Sequence, residues 1–226
     1  MEKTFSIKEA LSFGWNVYKK DPIRWTAVFL GAPLALGVAS ELLSFVIIQA
    51  GIQANVVEPV FVVAGITVSI LTAIAGIVLQ VGIIKIALAA VDGTEWNWKD
   101  LYQHYARSWD FVFANIFYGL AVIGGLILFI FPGVIVAVAL GMFRYAVVDK
   151  KAGPIESLKQ SRAITKGVRW KIFFFIIVSG LVTVAGFIVL IVGALVAIPV
   201  VTLAGAWVYR QLERQTNTAS SVAVEV

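Results

Sequence analysis

The chain has 226 residues, 60% of them apolar and only 14% charged, with a mean hydropathy of +0.93; soluble domains carry about 25% charged and about 45–50% apolar residues, so a soluble enzyme is excluded. There is no cysteine, which rules out disulfides, thiolate metal sites and cysteine nucleophiles. The net charge of +5 comes without any groove-reading motif, so it points to anionic lipid headgroups and not to nucleic acid.

The opening MEKTFSIKEALSFGW lacks a long apolar core and a small-residue cleavage site, so no secretory signal peptide is expected. Residues 6–20 instead read as a short amphipathic helix. Ile7, Leu11, Gly14 with Trp15, and Tyr18 recur at helical spacing, and Ser6 to Glu9 forms a capping box. Apolar stretches follow at 25–50, 59–84, 111–131, 134–148, 172–197 and 200–209. The longer ones reach the ~20 residues that cross a hydrocarbon core about 30 Å thick. Two more amphipathic segments lie between them. Residues 96–110 carry an aromatic stripe of Trp98, Leu101, Tyr102, Tyr105 and Trp109; residues 154–169 start with Pro154 and present Ile155, Leu158 and Ile164.

The short connections at 51–58, at Phe131-Pro132-Gly133 and at Ile198-Pro199 hold no Lys or Arg, and all 18 basic residues fall on the other side. The positive-inside rule puts that side, with both termini, in the cytoplasm. The expected architecture is an all-α polytopic transmembrane bundle of six spans plus three short interfacial amphipathic helices. It forms a single membrane domain over 1–214, followed by a disordered tail at 215–226 whose terminal Val226 carboxylate suits a binding groove.

Each amphipathic segment leads into a span, and each second span opens on a proline: Pro59, Pro132 and Pro199. Proline fits a helix start because that amide has no intrahelical partner. A threefold helix–span–span repeat results, with units of about 5–91, 94–149 and 153–213; the competing account is that prolines gather at turns. The amphipathic segments suit the headgroup boundary, with Trp15, Trp98, Trp109 and Trp170 as interfacial anchors, or else pack on their neighbours as ordinary loop helices.

Charged residues inside the spans are the first candidates for function. Arg144 lies 12 residues after Pro132 and Arg210 lies 11 after Pro199, about 18 Å or less along a helix. Lys85 in Gly82-Ile83-Ile84-Lys85 echoes Gly141-Met142-Phe143-Arg144, and Asp92 and Asp149 follow. Lys85, Arg144 and Arg210 read as an anion- or lipid-binding cluster, since the planar fork of arginine matches phosphate oxygens. Snorkelling to the headgroups and ion pairing with Asp149 or Asp92 are the alternatives. Glu41, beside Ser40 and Ser44, sits near the outer interface. Gly133, Ala137 and Gly141 form a small-residue ridge for close helix packing, and Gly180, Gly186 and Gly193 belong to the fifth span.

The catalytic inventory is sparse. His104 is the only histidine, so a multi-histidine metal site is excluded; no Walker loop, nucleotide fingerprint or HExxH occurs. No cofactor and no metal are expected.

The stretch FPGVIVAVALGMFRYAVVDKKAGPIESLKQSRAITKGVRWKIF resembles the bacterial six-helix membrane families related to the glycerophosphoryl diester phosphodiesterase membrane domain. The shared features are Pro132-Gly133 opening a short span, Asp149 near its end, and then Leu158, Ser161, Lys166 and Gly167 followed by Trp170. Ile198-Pro199, Trp207-Val208-Tyr209-Arg210 and the opening Ala10-Leu11 with Trp15 also fit. The resemblance implies a six-helix fold in a bacterial or archaeal cytoplasmic membrane, with a role in envelope homeostasis. The hydrolytic domain attached in some relatives is not expected, because the chain ends soon after its last span. The expectation is therefore a non-enzymatic membrane protein binding anionic lipids or a protein partner. A small transporter or lipid flippase is the first alternative, and an intramembrane enzyme built on His104, Asp100 and Asp110 the second.

Overall fold

The computed structural model describes residues 3–53, 58–150, 152–188 and 191–222. Every regular element among them is helical, and six helices are long and apolar enough to cross a membrane. The chain is an all-α bundle with the make-up of a multi-pass membrane protein. In order the helices are α1 (Ile7–Tyr18), α2 (Pro22–Thr26), α3 (Ala32–Gln53), α4 (Glu58–Asp92), α5 (Ser108–Leu128), α6 (Ile130–Leu140), α7 (Phe143–Lys150), α8 (Pro154–Thr165), α9 (Arg169–Ile188) and α10 (Ile191–Val222). A π-helical turn at Ala27–Gly31 joins α2 to α3 in one span.

The hub is α10. More than half of its apolar window is buried (56%), against none of the first span's. It packs on α1, α9 and α4. Small residues permit this: a Cβ on Gly14 of α1 would lie 2.2 Å from the Val200 carbonyl oxygen of α10. Helix α1 therefore does not lie flat at an interface, as its amphipathic pattern suggests. It runs antiparallel to α10, with Phe13 beside Trp207 and Thr4 paired through its backbone N–H and C=O with the Gln215 amide. The loop-helix alternative is the one realised, because Ala10 and Gly14 make a face smooth enough for backbone approach.

The last hairpin turns earlier than the prolines suggest. Helix α9 ends at Ile188, and Pro199 lies inside α10. The fifth span does not run to residue 197, and the sixth does not open on Pro199. Gly186 and Gly193, both expected in the fifth span, instead face each other across the hairpin; a Cβ on either would come within 2.7 Å of the other's carbonyl oxygen. With no charge between residues 172 and 209 to mark the bend, close glycine packing locates it. The tail is also corrected: α10 continues to Val222, with Thr216 and Thr218 bonding back to the Leu212 and Arg214 carbonyls. Residues 223–226, and Val226 with them, lie outside the described residues.

The second amphipathic segment is not one helix. It breaks into 3-10 turns at Trp98–Leu101 and Tyr105–Arg107. Asn97 and Asp100 close a capping box, and the Leu101 backbone settles into the notch at Gly82, where a Cβ would meet it at 2.3–2.6 Å. Helix α8 forms as expected from Pro154 but buries Ser157, Ser161, Ile164 and Thr165, while Ile155 of the expected stripe is exposed and Leu158 only partly buried.

The hairpin of α5 with α6 and α7 lies across the α9–α10 pair. At its base, Asp149 bonds Arg210 of α10 at 2.6 Å. At its tip, Phe131 meets Trp170 of α9 with ring centroids 6.4 Å apart. The next residue, Lys171, bonds Thr4, which pairs with Gln215. Gln215 is only five residues beyond Arg210, or about 7.5 Å. Both ends of a hairpin about 30 Å long thus meet α9 and α10 at similar heights. The chain reverses at Phe129, so Phe131-Pro132-Gly133 opens α6 instead of forming the expected turn, and Phe131, expected on the cation-free side, stands beside Lys166 and Arg169.

Two outcomes follow. Gly14→Ala should destabilise the protein by about 1–3 kcal/mol, the usual cost of overpacking, seen as a lower melting temperature in detergent. In this cysteine-free chain, the pair Phe131→Cys and Trp170→Cys should be joined by a short bis-maleimide as readily as Phe13→Cys with Trp207→Cys, whose rings are equally close. Linkage of the second pair alone would contradict the transverse hairpin.

Candidate functional site

The expected cluster of Lys85, Arg144 and Arg210 does not assemble. Lys85 is half-buried on α4, and Arg144 is exposed on α7 with its guanidinium 5.8 Å from the Phe143 ring. Arg210 realises the ion-pair alternative. Its Nη1 and Nη2 donate to Asp149 at 2.6 Å each, Nε and Nη2 to Asp92 at 3.0 and 2.7 Å, and Nη1 to Glu213 at 2.7 Å. All five N–H donors of the guanidinium are occupied. Tyr209 OH adds a bond to Asp149, and Lys150 pairs with Glu213. With Arg214 3.8 Å from Asp92, three cations meet three carboxylates. This neutral node joins the C-terminal ends of α4 and α7 to the C-terminal half of α10. It leaves Arg210 no donor for an external anion.

A different set of cations stands at a cavity. Lys159, Arg162, Lys166 and Arg169, with Ala163, line a cleft of about 440 Å³. Helix α8 places Lys159 and Arg162 on its outer face at i and i+3, opposite buried Ser157, Ser161 and Thr165, and Lys166 follows as its C-cap with an extended backbone. The Ser161 and Thr165 hydroxyls hold α8 against the α6–α7 break, while Ser157 bonds back to the Pro154 carbonyl within α8. Ser161 Oγ accepts from Met142 N–H at 3.1 Å, and it and Thr165 Oγ1 donate to the Ala139 carbonyl at 3.1 and 2.9 Å. Gly167 then takes a left-handed conformation (φ +89°) that turns the chain into α9 and brings Arg169 to the cleft.

Lys166 and Arg169 also line a second, apolar groove of about 660 Å³. Its walls are Ile130, Phe131, Val134, Ile135 and Val138 on α6 and Trp170 and Phe173 on α9. The two cavities are contiguous through these shared cations. Among the described residues none of Lys159, Arg162, Lys166 and Arg169 makes an ion pair. Arg169 Nε is buried and lacks an acceptor.

No protein-family model, curated protein or solved structure matches the chain. Its chemistry is therefore read from its own geometry. A cationic mouth leading into an apolar groove suits an amphiphile with an anionic head. Trp15, Trp98, Trp109 and Trp170 are 46–69% exposed, and Trp170 belongs to the groove. The catalytic constellation is not assembled: Asp100 accepts from Asn97 N–H, Asp110 pairs with Arg107, and the His104 ring faces the Asp100 carbonyl. Glu41 stays exposed, while neighbouring Ser40 bonds Thr72 across the first hairpin at 2.8 Å. The one signal for the actual cleft is the basic spacing on α8, which lies outside every apolar stretch.

Arg210→Met should leave three carboxylates without their central partner and destabilise the fold by about 3–5 kcal/mol. Adding Asp149→Asn to that variant should recover part of the loss. Equal melting temperatures for wild type and Arg210→Met would show that the node carries no stability.

Proposed function

We propose that this protein is a non-enzymatic integral membrane protein that holds an anionic lipid, its head in the Lys159–Arg169 cleft and an acyl chain in the α6–α9 groove. The supporting observation is that Lys166 and Arg169 line both cavities. Charge and apolar surface thus adjoin, as an amphiphile with an anionic head requires. Arginine serves here because its fork donates two parallel hydrogen bonds to phosphate oxygens. The cation-bearing end faces the cytoplasm, in keeping with the basic residues that the connections at 51–58 and around 189–190 lack, and the membrane is the cell membrane. A part in envelope homeostasis accords with the six-helix resemblance carried by Leu158, Ser161, Lys166 and Gly167.

Native mass spectrometry on protein released from nanodiscs of mixed phosphatidylglycerol and phosphatidylcholine tests this. Wild type should retain phosphatidylglycerol preferentially. Lys166→Gln with Arg169→Gln should lose most of that preference, and Ile135→Trp should lower total lipid retained. Arg144→Ala should behave as wild type. Equal retention of the two lipids by wild type would refute the reading.

A further inference from the structure

The charge arrangement says more about the head that the cleft accepts. Around Arg210 the protein balances its own cations, three against three carboxylates. Around the cleft it does not. Four cations line it, and no Asp or Glu is among its lining residues. A fifth cation approaches from the N-terminal segment, where Lys3 Nζ donates to the Ala163 carbonyl at 2.9 Å. The Lys3 ammonium is held below its usual range by burial and by neighbouring Lys166. Lys159 and Arg162 are like charges at i and i+3 on α8 and repel, and Lys166 and Arg169 add two more cations at the same cleft, so the empty arrangement is electrostatically unfavourable. Binding of a counter-charge relieves it.

Geometry sharpens the demand. Arg162 and Arg169 each offer a planar fork, and Lys159 and Lys166 offer point charges. Arg169 Nε is buried without an acceptor, so this guanidinium is not fully satisfied within the protein. The first turn of α9 begins at Arg169, and N–H groups in a first turn have no intrahelical acceptor. A phosphodiester has one negative charge and two unsubstituted oxygens. It would leave most of the four cations uncompensated. A terminal phosphate has three unsubstituted oxygens and close to two charges.

We infer that the cleft selects a lipid whose head ends in a phosphomonoester or diphosphate over one whose phosphate is a diester. This rests on the lipid-binding reading above and specifies its ligand class.

The experiment competes phosphatidate, phosphatidylglycerol and phosphatidylcholine in equal amounts in nanodiscs, with retained lipid read by native mass spectrometry at pH 8 and at pH 6. Phosphatidate should exceed phosphatidylglycerol by about tenfold at pH 8, as expected for one added charge-assisted contact worth about 1.5–3 kcal/mol. The margin should narrow toward pH 6, where the second ionisation of a phosphomonoester, near pH 6, is about half lost. Arg162→Gln with Arg169→Gln, checked for an unchanged helical spectrum, should bring the ratio toward one. Equal retention of phosphatidate and phosphatidylglycerol at pH 8, both above phosphatidylcholine, overturns this inference and leaves the lipid reading standing. No preference for either over phosphatidylcholine removes both. Full displacement of phosphatidate by excess inorganic phosphate would transfer the cleft to a soluble anion and overturn the inference as well.

Discussion

Cations crowded together beside an apolar bundle must be neutralised by the protein's own carboxylates or await a counter-charge outside it, and this constraint organises both the Arg210 node and the cleft at α8. Coulomb repulsion between unit charges a few ångströms apart is substantial wherever water is partly excluded. Around Arg210 the solution is internal. One guanidinium gathers a carboxylate from α4, another from α7 and a third one turn along its own helix. Three separate helices are thereby tied together beside a buried apolar core that includes Leu88, Val147, Val208 and Leu212. Around α8 and the start of α9 the solution is left open, and the open site adjoins an apolar groove.

The rest of the packing depends on small residues, as expected where lipid competes with helix contacts and burial of apolar surface supplies little drive. Gly14 lets α1 reach the α10 backbone, Gly186 and Gly193 close the last hairpin, and Gly133 lies against Gly125 and Leu126 in the α5–α6 pair. The first hairpin, of α3 and α4, contrasts with these. It leaves Leu42, Phe45, Val63 and Ile70 exposed, a surface suited to lipid tails. Firm packing thus gathers at the cation-bearing end, where both the charge node and the cleft need fixed geometry.

The residues of the 132–170 stretch singled out from the sequence acquire separate physical roles. Asp149 bonds Arg210, Leu158 packs with the Phe111 and Val147 cluster, and Ser161 caps the break between α6 and α7. Gly167 makes the left-handed turn, and Lys166 and Trp170 line the cavities. They converge on one structure that sets α8 across the α5–α6 hairpin and opens a cationic cleft at its edge. Arg210 illustrates how a lone residue misleads: its depth and charge suggested an anion site, but its carboxylate partners lie 61 and 118 positions away.

Composition and hydropathy alone determined the helical class and the presence of six helices long and apolar enough to cross a membrane, because these follow from local solvation of each segment. The Ser6 cap and the extent of α8 were equally local and equally readable. Only the tertiary structure decided that α1 packs on α10, that the last hairpin bends at its glycines and not at Pro199, and that the α5–α6 tip returns to the basic end. It alone showed which cations are satisfied. Those outcomes depend on distant surfaces meeting, such as Gly14 with Val200 or Arg210 with Asp92, and no periodicity along the chain encodes which surfaces will meet.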